Sequence, residues 1–212
     1  MWRKYLALST SAVLASTLLA FAIPAAAQEM SEAEVLKAYG DALGGDMLNN
    51  PLNVRWKTKG KDKKTKVVKA SEIQGQYAYQ VKVKKSHPNP WDVSINNPLV
   101  KGLRSGDAVQ IMLWARASTP NEASGAGVVQ VRLQLIAAPY TGVAESMVTL
   151  SENWQLHYVN GIAKQDYKAK DLVLAFNIGK VKQTVEFGQF YVLNKGQNVD
   201  LGALPTKSVD LN

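Results

Sequence analysis

The sequence predicts an all-β protein: two antiparallel sheets packed as a β-sandwich, with one short helix near the start. Three observations predict it. Short segments alternate apolar and polar side chains with a period of two, as half-buried strands do. Turns containing Gly, Pro, Asn or Ser separate these segments at short intervals. No regular alternation of strands with amphipathic helices appears, which excludes the α/β classes.

The first stretch lies outside this pattern. Arg3 and Lys4 form a positive start, Leu6 to Ile23 is apolar and small, and Ala25-Ala26-Ala27 supplies the small residues of a cleavage site. Residues 1–27 therefore read as a secretory signal peptide cleaved after Ala27, and imply a periplasmic or extracellular protein. No second apolar stretch follows, so no membrane span is expected. The remaining chain, about 185 residues, is long enough for one sizeable core. Among 212 residues there is no cysteine. An exported fold without disulfides must be held by its core, and thiol catalysis, thiolate zinc sites and iron–sulfur clusters are excluded.

Ser31 to Leu43 is the helical segment, within a leader over 28–47. Ser31 and Glu34 have capping-box spacing, Val35, Leu36, Tyr39 and Leu43 fall near one face, and Gly44-Gly45 ends it. Strands begin after Leu48, and the sandwich occupies 48–194. Val54 and Trp56 open it. A Lys-rich hairpin, Lys57 to Lys69 with Gly60-Lys61-Asp62 at its tip, follows. Tyr77 to Val83 alternates cleanly. Trp91, Val93 and Ile95 share one parity, with Trp91 directed to the core or turned by the preceding loop. Beyond the turn at Leu103–Asp107, Val109, Ile111, Leu113 and Ala115 oppose Gln110, Met112, Trp114 and Arg116. Val129 to Leu135 carries Gln130, Arg132 and Gln134 on its polar side. Strands follow around Met147–Leu150, Trp154–Val159, Leu172–Ile178 and Thr184–Leu193. Trp154, Leu156 and Tyr158 share a face and are expected in the core. The tail, 195–212, is polar and expected to be loosely held.

The formal net charge is +8. The excess is local: Arg55, Lys57, Lys59, Lys61, Lys63, Lys64, Lys66 and Lys69 face one acid, Asp62. A run of this kind is a solvated edge hairpin or a patch for an acidic envelope component, not a nucleic-acid-binding domain.

Six segments occur in an order that resembles a known family: NPWDVSI, GDAVQIMLWARA, VVQVRLQL, LSENWQLHYV, DLVLAFNIG and TVEFGQFYVLN. They are similar to the CenC-type carbohydrate-binding domain, a jelly roll with the galactose-binding-like fold that accompanies secreted xylanases and glucanases. The resemblance covers about Tyr77 to Asn194. It implies glycan binding on a concave sheet face and a structural calcium near the first and last strands. This last strand carries Phe187-Gly188-Gln189 where the resemblance implies acidic residues. Hard cations need oxygen ligands, so no metal or other cofactor is assigned.

A glycan site needs a flat aromatic face, which takes apolar C–H surface out of water, beside amide or charged groups for the hydroxyls. Trp114 and Arg116 lie two apart on one strand; Gln130, Arg132 and Gln134 lie on the polar side of the next. If the two strands share a sheet, these residues form one surface. The other reading is a solvated sheet on which Trp114 packs against Arg116. Trp91 and Tyr140 are further platform candidates, Trp91 by the resemblance as well. Catalysis finds little support. His87 and His157 are not spaced as metal ligands, and no HExxH or GxSxG motif occurs. Glu145, Glu152, Asp166 and Glu186 are available for a hydrolase or lyase, but nothing in the sequence pairs them. The expected function is non-catalytic binding of an oligo- or polysaccharide, with little dependence on salt, beside a separately encoded glycan-active enzyme or envelope component.

Overall fold

A computed structural model of the chain describes residues 30–52, 56–120 and 125–211. The signal-peptide reading, Val54 and Arg55 lie outside the described residues. Helix α1 (Glu32–Leu43) starts at its capping box: the Ser31 Oγ accepts from the Glu34 N–H at 3.3 Å, and the Glu34 carboxylate accepts from the Ser31 N–H at 2.8 Å. Gly44, with φ +70°, closes it.

The twelve described strands form one continuous antiparallel hydrogen-bonded sheet that folds over into two packed layers, the first and second sheets. The first runs β2 (Lys57–Gly60), β5 (Val93–Pro98), β10 (Leu172–Asn177), β7 (Gly127–Leu135) and β8 (Gly142–Leu150). The second runs β9 (Gln155–Ile162), β6 (Ala108–Thr119), β11 (Gln183–Gly196), β4 (Tyr77–Val83) and β3 (Lys63–Lys69). In it β1 (Asp46–Met47) pairs with β11, and β12 (Val209–Asp210) pairs with β9. At the corner between the sheets, β8 and β9 share the pairing Ala144–Gly161. Ile95, Val131, Leu174 and Phe176 of the first sheet meet Ile111, Leu113, Val185 and Val192 of the second in one buried cluster. The Phe176 and Phe187 rings stack across the gap at 5.2 Å, and Trp56 packs on both. Each strand presents alternate residues to this core, as its period of two predicts.

The outer faces of the two sheets differ. The second is covered three times. Leu36, Tyr39 and Leu43 of α1 pack with Met47, Tyr191 and Leu193. Ala70 and Ile73, from the turn between β3 and β4, join Ala78, Trp114, Trp154 and Leu156, with Leu211 packed against them. The C-terminal segment adds β12 to the β9 edge. The outer face of the first sheet carries polar side chains instead, as described below.

Four expectations are corrected. Lys57–Lys69 is not a paired hairpin: β2 bonds to β5 and β3 to β4, so the turn at Gly60 crosses between sheets. Trp91 is not in a strand but in a 3-10 turn, Pro90–Asp92, which precedes β5. Trp154 and Leu156 are buried, but outside the second sheet rather than between the sheets. The segment after Asn194 is held: the Asn160 amide donates to the Pro205 carbonyl at 2.9 Å, and the Leu211 N–H to the Trp154 carbonyl at 3.1 Å.

His157 contributes to that clasp. Its Nδ1 lies 2.7 Å from the Ser208 Oγ, and the ring is buried. Burial pushes its pKa down to about 4, against the opposing pull of the Ala115 backbone and Asp210. The folded state holds the imidazole neutral, while the unfolded chain takes up a proton near the ordinary histidine value. This stability is present at neutral pH and is lost as pH falls from about 6.5 toward about 4. Thermal melts should show a falling Tm over the upper part of that window, before carboxylates titrate. His157→Asn should flatten the slope there; equal slopes for the two proteins would refute the assignment.

Candidate functional site

The open face of the first sheet is built by register. Ser94, Asn177, Gln130 and Met147 form one row across β5, β10, β7 and β8, which Lys59 extends onto β2. Asn96, Ala175, Arg132 and Glu145 form the second row, extended by Lys57. Pro98, Val173, Gln134 and Gly142 form the third. At ordinary strand spacings the face is about 19 Å across and about 13 Å along the strands. Its floor on β10 is low, because Ala175 and Val173 are small and overlapped by longer neighbours.

The polar groups are fixed in place. The Asn177 amide donates to the Gln130 Oε1 at 3.0 Å, and the Gln130 Nε2 donates to the Glu145 Oε1 at 2.7 Å. The Arg132 Nε lies 2.9 Å from the other Glu145 oxygen, and its Nη2 donates to the Tyr140 carbonyl at 3.1 Å. The Gln134 Oε1 is buried and has no hydrogen-bond partner among the described residues. Such a lattice of tethered amides, one guanidinium and one carboxylate presents donors and acceptors at set positions. Little side-chain freedom remains to be lost on binding.

Two exposed rings stand at opposite ends. Trp91, 55% exposed, lies just before β5, beside the first row. Its turn is anchored on both sides. The Gly179 N–H donates to the Pro90 carbonyl at 2.7 Å, and a Cβ on Gly179 would lie 2.7 Å from the Val93 nitrogen. Gly60 has φ +101°, and a Cβ there would lie 2.0 Å from the Asp92 carbonyl oxygen. Both positions need glycine for the chain to approach this closely. Tyr140, 51% exposed, sits in the β7–β8 loop at the third-row end, with its carbonyl held by Arg132.

Three of the sequence candidates, Gln130, Arg132 and Gln134, thus share this face, and Trp91 and Tyr140 lie in the turns at its two ends. Trp114 and Arg116 do not belong to it. Strand β6 pairs with β9 and β11, and β7 with β8 and β10, so the two strands lie in opposite sheets. Trp114 is 7% exposed beneath Ile73. Gly188, at the β11 bulge, admits this contact; a Cβ there would lie 2.4 Å from the Ile73 Cδ1 and 2.9 Å from the Trp114 Cβ. Arg116 is structural as well. Its guanidinium lies 4.8 Å from the Trp154 ring centroid, and its Nε lies 2.7 Å from the Glu186 Oε2. The W-A-R and E-N-W motifs therefore pack on each other as scaffold.

Burial pushes the Glu186 carboxyl up. Hydrogen bonds from Gln80 and Arg116, with the Arg116 charge, outweigh that and hold it below the usual carboxylate range. Arg116→Ala should cost about 2 kcal/mol in urea unfolding, less than a fully enclosed pair because the arginine is partly exposed and Gln80 remains. Arg116→Met with Glu186→Leu should recover most of it. A double variant no more stable than Arg116→Ala would overturn the account.

Asn96, Ser94, Asn177, Lys57 and Lys59 were missed as site residues. Asn177 could have been found by parity, since it opposes Phe176 and Ile178 on its strand. Of the four acids weighed for a hydrolase, Glu145 and Glu186 lie on the outer faces of different sheets, each with its own arginine. On the last strand, where the resemblance implies acidic residues beside a calcium, Phe187-Gly188-Gln189 supplies no carboxylate. Among the described residues no three His, Asp or Glu side chains converge.

No family model matches the sequence, and no curated protein matches it significantly. Solved structures do. A CBM4 module superposes with a TM-score of 0.52 at 18% identity, over 66% of this chain and 94% of that one. The second N-terminal cellulose-binding domain of Cellulomonas fimi β-1,4-glucanase C gives 0.52 at 15% identity, over 71% and 93%. A Stig cyclase from Fischerella, solved with an indole ligand, gives 0.53 at 12% identity, over 73% and 89%. One fold thus carries binding modules and an enzyme, and function has to be argued from the site. The resemblance read in the sequence holds at the level of fold: the chain has the jelly-roll β-sandwich fold that these modules share.

Proposed function

We propose that the open face of the first sheet binds carbohydrate without catalysis, in an exported protein acting in the periplasm or outside the cell. The observation that carries this reading is the face itself. Rows of tethered amides flank a low apolar floor, and an indole and a phenol stand at its two ends. Sugar rings offer an apolar C–H face to such rings and hydroxyls to such amides. The solved binding modules named above share the fold and support the reading. The carboxylate separation argues against hydrolysis, since two acids must flank one bond. Among the described residues, no helix is long and apolar enough to cross a membrane.

Affinity electrophoresis of the purified protein through gels containing soluble glucans, xylans, galactans and polygalacturonate tests this. Retardation by at least one polymer, without shortening of the chain, is the expected result. Polymer cleavage would replace the reading with an enzymatic one, and migration unchanged across the panel would remove it.

A further inference from the structure

The open face is not electrically neutral. Its charge comes from a strand that reads in sequence as part of a separate basic hairpin. Because β2 leaves that segment and joins β5, Lys57 stands opposite Asn96 and Lys59 opposite Ser94. Between them Thr58 points the other way, into the sandwich, where its Oγ1 lies 2.7 Å from the Tyr79 hydroxyl. That contact fixes the parity of the strand and so places both lysines on the outer face. They extend the first and second rows, about 7 Å apart along one strand.

These two cations are uncommitted. Lys37, Lys85 and Lys101 each lie near an aspartate, whereas no carboxylate lies within ion-pair distance of Lys57 or Lys59 among the described residues. The acids around the face are otherwise engaged or distant. Glu145 is held by Arg132 and Gln130. The Asp92 carboxylate accepts the Asn89 N–H at 2.9 Å. Asp171 lies beyond the third row, at the far end of β10 from the lysines' rows. The β2 side of the face is therefore a cationic border along otherwise neutral rows.

Resting on the reading of this face as a glycan site, we propose that its ligand is an acidic polysaccharide whose uronate carboxylates meet Lys57 and Lys59 while its rings cover the amide rows. The lysines of the second sheet do not take part. Lys64, Lys66 and Lys82 have the parity of its outer side, and Lys64 pairs directly with Lys82. They form a self-repelling edge that discourages strand-to-strand association. The proposal reverses the salt-insensitive binding that the sequence suggests. Exposed ammonium–carboxylate contacts are screened over about 10 Å at 0.1 M salt. Each is also individually weak, so the pair is expected to supply about a tenfold preference at low salt.

Titration calorimetry with polygalacturonate, and with the same polymer after carboxyl reduction, tests this. The wild-type protein should bind polygalacturonate about tenfold tighter at low salt, with the advantage lost near 0.5 M salt. Lys57→Gln with Lys59→Gln should remove the advantage, so that the variant binds the two polymers alike. Lys64→Gln with Lys66→Gln, the same charge change on the other side, should keep it. Equal binding of both polymers overturns the acidic preference while the glycan reading stands. Loss in the Lys64/Lys66 variant instead overturns the placement of the charge. If neither polymer binds, the uronate assignment falls, and the neutral glucans and xylans decide the glycan reading separately.

Discussion

Trp114→Ala is expected to lower stability by about 3 kcal/mol, with no effect on glycan retention by the protein that remains folded. From sequence alone this indole is the first choice for a sugar platform. In the structure it fills a pocket outside the second sheet with Ala70, Ile73, Ala78, Trp154 and Leu156. Truncation would leave a cavity under Ile73 and loosen the turn that covers it. It would also remove part of the packing around Trp154, on which the Arg116 guanidinium rests. Urea unfolding followed by fluorescence measures the first effect, and affinity electrophoresis at a temperature where the variant is folded measures the second. A stable variant that no longer binds glycan would return the site to β6.

Trp91→Ala should do the reverse. The ring is 55% exposed and belongs to none of the buried clusters, so its removal costs the fold little. Loss of a stacking ring at the end of a binding face is worth about 2 kcal/mol, or roughly 30-fold in Kd. The anchored turn matters to this estimate. With Gly60 and Gly179 allowing close backbone contact on both sides, the turn that carries the indole is held in position before any ligand arrives. Its binding energy is then not spent on ordering a loop. Calorimetry against a polymer that retards the wild-type protein gives the comparison. A change below threefold, with the melting temperature unaltered, would exclude Trp91 from the site.

These two indoles show what the sequence carried and what it did not. Period-two alternation tells which residues of a strand face in and which face out, and it does so well. Ile111 and Leu113 are in the core, and Trp114 and Arg116 are outside it. In a two-sheet fold, however, there are two outsides. Consecutive strands change sheet at β1–β2, β2–β3, β4–β5, β5–β6, β6–β7, β8–β9, β9–β10 and β10–β11, and no local pattern marks the change. Gln130, Arg132 and Gln134 were therefore legible as a polar set, but their partners were not. They meet Asn177 and Glu145 on neighbouring strands rather than Trp114. Whether an outer face is open or covered is equally non-local. The second sheet is sealed by α1, by the turn carrying Ile73 and by the C-terminal segment, which reads as a loose polar tail because few of its residues are apolar. Its hold depends on paired backbone and on single polar contacts, such as those to His157 and Asn160. Trp91 misled for a local reason. The 3-10 turn Pro90–Asp92, which contains it, interrupts the alternation just before the strand begins at Val93.

The pairing of β1 and the packing of α1 against β11 have a consequence for the order in which the fold can close. Met47 pairs with Leu193 and Asp46 with Asn194, so the first elements of the fold find their places only against one of the last. Likewise β6, near the middle of the chain, is flanked by β11, and β4 borders it on the other side. Until residue 194 or so is available the second sheet lacks its central strand, so closure of that sheet waits for nearly the whole chain.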